Sequence, residues 1–154
     1  MAPRLSHAES QNCEGKIVRQ VIANKLYLGN AQDARDLRGL AAAEVTAVVD
    51  LAANERPAML SPSMAYLRLP ISDDGSNSAA LLQCCVAIVS ELLRCDGQRV
   101  LVACSAGMSR SPTIAAAALH RLGRGSLEEC LKLVVRNAPS DISPQLWNAI
   151  RELA

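Results

Sequence analysis

Short apolar runs alternate along this chain with segments whose apolar residues recur every three or four positions, and this alternation most constrains the fold. Residues 45–51 are apolar apart from Thr46 and Asp50, which suits a strand buried on both faces, and residues 100–103 form a second such run. Helices are predicted over 31–40, 79–94 and 111–122, and two more begin after Ser126 and Ser143. The predicted class is therefore α/β, with a largely parallel central sheet flanked by helices.

The remaining predicted strands lie in the first half of the chain. Two short strands, 17–22 and 26–28, are joined by a turn at Ala23-Asn24, and a third over 66–69 stops at Pro70. Three cysteines, Cys84, Cys85 and Cys95, accompany the apolar face of the 79–94 segment. We expect all three to be core thiols.

The composition predicts one globular domain, because 50% of the 154 residues are hydrophobic and 20% are charged. Residues 1–16 are polar without an apolar period, so we expect a disordered tail followed by a domain over 17–154. This polar start and the six cysteines together indicate a reducing, cytoplasmic compartment. The net charge of +1 is spread along the chain, which predicts no nucleic-acid or membrane partner.

One segment combines the features of a ligand site at the carboxyl end of a strand, where sheets of this class bind ligands. Cys104 ends an apolar strand, a loop of small residues follows, and Arg110 stands at the start of the next helix. In such a loop successive N–H groups converge on one point, where the helix N-terminus adds its positive end. We therefore predict an oxyanion cradle with Cys104 as its nucleophile. The predicted substrate-binding residues are Ser105, Ala106, Gly107, Met108, Ser109 and Arg110.

The spacing of cysteine and arginine is not sufficient evidence for this site. A cysteine followed six positions later by an arginine also occurs at residues 13–19 and 130–136. The first pair lies in the polar tail, and the second lies inside a predicted helix whose backbone donors are already used. Only Cys104 has a strand before it, a glycine-containing loop after it and a helix start at the arginine.

The segment from Cys104 to Ser111 resembles the signature loop of the cysteine-dependent protein phosphatases, and the chain from about Val18 onward is similar to their dual-specificity subfamily. The resemblance implies a phosphotyrosine protein phosphatase-like fold. It also implies that Cys104 attacks phosphorus and that Arg110 binds the phosphoryl oxygens. By the same resemblance, Ser111 helps the thiolate to leave when the covalent cysteinyl-phosphate intermediate is hydrolysed.

The general acid of that family is an aspartate in a loop that residues 69–74 of this chain resemble, and Asp73 falls where the resemblance implies the acid. Periodicity alone does not distinguish Asp73 from Asp74 as the residue that faces the site. Both carboxylates would also suit a turn next to Gly75. Asp50, which ends another strand, is predicted to be structural.

Ala103 departs from the family pattern, which has a histidine immediately before the cysteine. We therefore expect either a more alkaline optimum or a low turnover. A catalytically weak module that binds phosphorylated partners is the alternative, although the retained Cys104, Arg110 and Ser111 favour an enzyme. Rhodanese-like and arsenate-reductase-like enzymes are disfavoured by the Ser-Arg-Ser-Pro exit of the loop and by its place two-thirds along the chain.

The substrate class follows from what the loop and the composition lack. The loop has no lysine to meet additional phosphates, and three aromatic residues leave little material for a deep pocket. The resemblance then implies a shallow cleft for phosphotyrosine and phosphoserine or phosphothreonine in phosphorylated proteins. Metal ions and other cofactors are not expected, because the cysteines lack paired ligand spacing and no glycine triplet follows the first strand.

Overall fold

The computed structural model describes residues 19–136 and 138–154; the predicted tail and residues 17 and 18 of the first predicted strand lie outside this part. The strands are β1 (Arg19–Ile22), β2 (Leu26–Gly29), β3 (Ala47–Ala52), β4 (Ala65–Ile71) and β5 (Val100–Ala103). The helices are α1 (Leu37–Ala42), α2 (Ala79–Arg94), α3 (Arg110–Arg121), α4 (Leu127–Val135) and α5 (Pro144–Leu153), and a 3₁₀ helix at Asp33–Arg35 precedes α1.

The five strands form one sheet in the order β1-β2-β5-β3-β4. β1 is antiparallel to β2, whereas the pairs β2-β5, β5-β3 and β3-β4 are parallel. This arrangement confirms the predicted α/β class with a mostly parallel sheet. Because β5 lies between β2 and β3, the loop that follows it emerges at the centre of the edge where four strands end.

Side chains of alternate strand residues pack into two apolar clusters, one on each face of the sheet. The larger cluster joins residues such as Leu28, Val102 and Cys104 to helices α2, α3, α4 and α5. The smaller cluster, which includes Tyr27 and Ala103, is covered by α1 and neighbouring loops. Within the described part of the chain, no helix is both long enough and apolar enough to cross a bilayer.

The helix starts predicted from capping residues agree with the structure. Ser126 and Glu129 form the reciprocal capping box of α4, and Ser143 caps α5 with proline at the first helical position. The predicted 31–40 helix, however, is wrong as a single element. Asn30 does cap it through its side-chain oxygen, but only the 3₁₀ turn follows, and Asp36 starts α1 anew by accepting from Gly39 N–H.

The strand predicted to stop at Pro70 in fact continues to Ile71. Two features make the proline acceptable. β4 is an edge strand, and the register between Asp50–Ala52 and Arg68–Ile71 contains one extra residue on β4, which is a bulge. Proline donates no hydrogen bond and is tolerated at edges and bulges, so it ends the regular pairing without ending the strand.

Of the three cysteines expected in the core, only Cys85 is buried, and the prediction for Cys84 and Cys95 is wrong because both are exposed. The buried stripe of α2 runs through Leu82, Cys85, Val89 and Leu93 at spacings of three and four, so Cys84 falls one position off it. Cys95 stands beyond the last helical residue. Burial raises the pKa of the Cys85 thiol to about 12.

This difference in burial predicts the order in which the α2 thiols are alkylated in the native protein. Cys84 and Cys95 should react with iodoacetamide at rates close to those of free thiols. Cys85 should react at least roughly a hundredfold more slowly, because its thiol becomes accessible only when the helix opens locally. Peptide mapping by mass spectrometry after timed quenching measures all three, with the urea-unfolded protein as control. Equal native rates for Cys84 and Cys85 would contradict the assigned helix face.

Candidate active site

The loop that joins β5 to α3 is held against the turn after β2 by backbone contacts. Cys104 N–H donates to Gly29 carbonyl at 3.3 Å, and Ala31 N–H donates to Ser105 carbonyl at 3.2 Å. These two hydrogen bonds attach Cys104 and Ser105, the first residues of the loop, to the end of β2 and the turn that follows it. The predicted loop residues are thus placed where β5 ends, at the centre of the sheet edge.

Gly107 is the residue that allows this close approach. Its φ is +73°, which side-chain-bearing residues rarely adopt, and a Cβ at this position would lie 3.0 Å from Gly29 carbonyl oxygen. Backbone therefore meets backbone, and neither partner can give way as a flexible side chain would. The curl of the loop depends on glycine at this position.

Cys104 lies beneath the loop and is 2% exposed. Its Sγ is 3.3 Å from Ser111 Oγ in the first turn of α3, and Ser111 is fully buried. Ser109, at the N-cap of α3, makes no capping bond to the helix through its side chain. The Ser111 hydroxyl thus lies within hydrogen-bond distance of the Cys104 thiol, at the end of α3 that follows the loop.

Arg110 is buried and its guanidinium is held by three groups. Nη1 donates to Ile71 carbonyl at 3.0 Å and to Asn54 Oδ1 at 3.2 Å, while Nη2 donates to Ser105 Oγ at 2.9 Å. Nε has no hydrogen-bond partner among the described residues; the nearest carboxylate oxygen, Asp73 Oδ2, lies 3.6 Å away. Two of the five donors, on Nε and Nη2, consequently make no hydrogen bond with the described residues.

Asn54 is a site residue that the sequence analysis missed. Its Oδ1 accepts from Ser105 Oγ at 2.7 Å as well as from Arg110. Arg68 holds the loop that contains Asn54, because its Nη1 lies 3.3 Å from Asp50 Oδ2 and its Nη2 donates to Glu55 carbonyl at 2.6 Å. Asp50 is therefore structural, as expected. The sequence feature that could have indicated Asn54 is its position just after β3, at the same sheet edge as Cys104.

The two adjacent aspartates point to different partners. Asp73 has a half-exposed side chain and forms the ion pair with Arg110 Nε. Asp74 Oδ1 accepts from the backbone N–H and the hydroxyl of Ser76, and these bonds lower the pKa of the Asp74 carboxyl. The Asp74 carboxylate thus stabilises the turn that contains it, whereas the Asp73 carboxylate lies beside Arg110, at the end of the loop between β5 and α3.

Residues near the start of α5 connect the two loops of the site. Ser143 hydroxyl donates to Asp73 carbonyl, and Ser143 N–H donates to Ser109 Oγ at 2.9 Å. Asp141 N–H donates to Met108 carbonyl at 2.9 Å. The position of Asp73 relative to the loop is therefore set by the end of the chain as well as by β4.

The structure brings the predicted residues into one region, where Cys104, Arg110 and Ser111 are buried and Asp73 lies at the surface. Ser105 and Met108 are partly exposed, Ala106 is exposed, and Gly107 and Ser109 are buried. Ala103 is completely buried on the other face of the sheet, in the cluster of Tyr27. It contributes no charge or hydrogen bond from its side chain to the loop.

Comparison with known proteins gives a consistent set of relatives. A family model described as dual specificity phosphatase, catalytic domain, matches residues 26–154. Dual specificity phosphatase 28 of Homo sapiens is 31% identical over 133 residues, covering 85% of this chain and 74% of that protein. Dual specificity protein phosphatase 2 of Mus musculus is 34% identical over 110 residues, covering 71% of this chain, and the aligned region spans only 34% of that relative's length.

A solved structure extends this comparison to three dimensions. The crystal structure of a mouse putative dual specificity phosphatase complexed with zinc tungstate superposes with a TM-score of 0.77 at 27% identity. The match covers 96% of this chain and 91% of that one. The fold similarity therefore extends over nearly the whole length of both chains.

The contact between Gly107 and Gly29 predicts that alanine at 107 damages the loop beyond the strain of its backbone angle. G107A should lower the free energy of unfolding by about 2 kcal/mol or more. G97A is the matched control, because Gly97 has φ +76° with no atom within 4 Å of a Cβ placed there. It should lower the free energy of unfolding by about 1 kcal/mol. Urea unfolding measures both variants, and equal effects would refute the steric account.

Proposed function

The chain belongs to the dual specificity phosphatase family, and on that premise we propose that it hydrolyses phosphate monoesters of phosphorylated proteins through a covalent cysteinyl-phosphate. The observation that carries the proposal is the arrangement around Arg110. Three of its donors are held by Ile71, Asn54 and Ser105, and the donors on Nε and Nη2 that remain make no hydrogen bond within the described part of the chain. A fixed arginine with two free donors fits two oxygens of a phosphoryl group.

The first chemical step transfers the phosphoryl group to Cys104. Its thiolate forms an S–P bond while the ester P–O bond breaks, and Arg110 with the loop amides balances the charge on the phosphoryl oxygens. The leaving oxygen takes a proton from Asp73. In the structure Asp73 Oδ2 lies 3.6 Å from Arg110 Nε, so a phosphoryl oxygen would take its place at Nε and leave Asp73 facing the ester oxygen.

The second step returns Cys104 to its thiolate. A water molecule forms the new P–O bond, gives one proton to Asp73 and yields inorganic phosphate as the S–P bond breaks. The electron pair of that bond returns to Sγ, where Ser111 Oγ at 3.3 Å can donate a hydrogen bond to the developing negative charge. This geometry supports the role that family resemblance implies for Ser111.

The substrate class rests on the shape and chemistry of the loop. Ser105, Ala106 and Met108 reach the surface without offering a cation, and the loop itself contains no lysine. The site therefore suits a single phosphoryl group on phosphotyrosine, phosphoserine or phosphothreonine. The proposal includes the low turnover or alkaline optimum expected from Ala103, and the predicted cytoplasmic location.

Replacing the nucleophile separates an enzyme from a binding module. C104S should reduce kcat for p-nitrophenyl phosphate by about a thousandfold or more, while tungstate still binds, because the amides and Arg110 are retained. C84S is the matched control: its exposed thiol lies on α2, outside the site, and its kcat should equal that of the wild type. A wild-type protein that binds phosphopeptides without turnover would instead favour the module.

The two aspartates give a second test of the mechanism. D73N should lower kcat about a hundredfold on phenyl phosphate and clearly less on p-nitrophenyl phosphate, because nitrophenolate leaves without needing a proton. D74N is the neighbouring control and should remain within about twofold on both substrates, since Asp74 serves its own turn. A larger loss in D74N than in D73N would reverse the assignment of the acid.

A further inference from the structure

Arg19 occupies an unusual position for a charged residue. It pairs with Leu28 in the β1-β2 register, and Leu28 in turn pairs with Val102 of β5. Side chains of directly paired residues lie on the same face, and Cys104 follows Val102 by two positions. Arg19 thus extends from the edge strand along the face of the sheet that carries Cys104.

The guanidinium of Arg19 is partly buried, and its buried nitrogen atoms lack hydrogen-bond partners. Its Nε and Nη2 atoms are inaccessible to solvent and have no hydrogen-bond partner among the described residues. Arg19 also lines a cavity of about 230 Å³ with Ala106, Gly107 and Met108, which places it on the inner side of the cysteine loop. No carboxylate of the described chain lies within 4 Å of it.

The charged groups near this guanidinium are few. Asp33 shares the loop-side cavity but uses Oδ2 to accept from Asn30 N–H at 2.8 Å, and Arg136 shares the neighbouring cavity against α4. Burial lowers the pKa of Arg19, and the negative charge of Cys104 acts in the opposite direction. The other charged groups at the loop are Arg110, which begins α3, and Asp73, which forms an ion pair with it. One further titratable group, the Cys130 thiol of α4, lies in the same apolar cluster as Cys104.

An enclosed cation without a hydrogen-bonded partner is unfavourable unless some state of the protein places an anion near it. The group that becomes anionic on this side of the sheet is Cys104, as a thiolate before the reaction and as a phosphorylated cysteine within it. Ala103 brings no cation from the opposite face. Negative charge on the loop would therefore offset part of the cost of burying two nitrogen atoms of Arg19.

We propose that Arg19 is a positioning residue whose partly buried charge stabilises the anionic forms of Cys104 from behind the loop, taking the place of a cation before the cysteine. The inference rests on the proposed function, because it requires Cys104 to be the nucleophile. Arg19 touches neither the substrate nor the leaving group. It acts through the charge state of Cys104 and through the loop that it lines.

The test measures the charge state of Cys104 independently of turnover. Wild type, R19M, R19Q and R19K are alkylated with iodoacetamide between pH 4.5 and 9, and modification at Cys104 is counted by peptide mapping, with kcat for p-nitrophenyl phosphate measured in parallel. R19M and R19Q should raise the midpoint of the alkylation profile by about one pH unit, which is roughly tenfold slower reaction below the midpoint. R19K should restore most of the shift, because lysine returns the charge. R19Q keeps the test available if R19M does not fold.

R136M is the matched control, because Arg136 is exposed beside the same guanidinium, and its profile should coincide with the wild type. An unchanged midpoint in R19M and R19Q would overturn the proposal, as would an R19K profile shifted as far as that of R19M, since packing alone would then explain the effect. Failure of the proposed function has a different signature: whatever the alkylation profiles show, wild type would have no turnover or C104S would retain it.

Discussion

The turn after β2 and the loop after β5 approach each other backbone to backbone, with no side chain between Gly29 and Gly107. The predicted loop residues from Cys104 to Arg110 are positioned relative to this contact. It fixes the curl that buries Cys104, and the loop then delivers Arg110 into the first turn of α3. Parallel pairing of β2 with β5 makes the contact possible, because parallel strands end at the same edge.

The arrangement of charge around the loop follows from burial. Arg110 is almost fully enclosed, yet its nearest carboxylate stays half-exposed, and neutral oxygens from Ile71, Asn54 and Ser105 hold most of its donors. Neutral acceptors orient a guanidinium without cancelling its charge, so the cation remains available to an anionic ligand. A buried carboxylate in the same place would have satisfied the arginine and closed the site.

The sequence predicted the position of the candidate site where two kinds of evidence coincide: the local residue types and the place of the segment at the end of a parallel strand. Strand, glycine loop and helix start selected Cys104 from three cysteines with equal spacing to an arginine. The matched family domain confirms the family that the chain was expected to belong to. Asn54 was not predicted, because its importance comes only from long-range contacts with Ser105 and Arg110. The burial of Cys84 was predicted wrongly. Two adjacent cysteines in an apolar helix cannot both face the core, and their residue type does not show which of them does.

The bulge at Pro70 has a consequence for the association of molecules with one another. β4 is an outer strand, and an outer strand exposes backbone groups that another chain can pair with. Pro70 offers no N–H at the point where β4 leads toward Asp73, and the extra residue there bends the strand away from regular pairing. A growing intermolecular sheet would therefore be interrupted next to the reactive loop. The same irregularity that ends the regular pairing of β4 before Asp73 also protects this edge against aggregation.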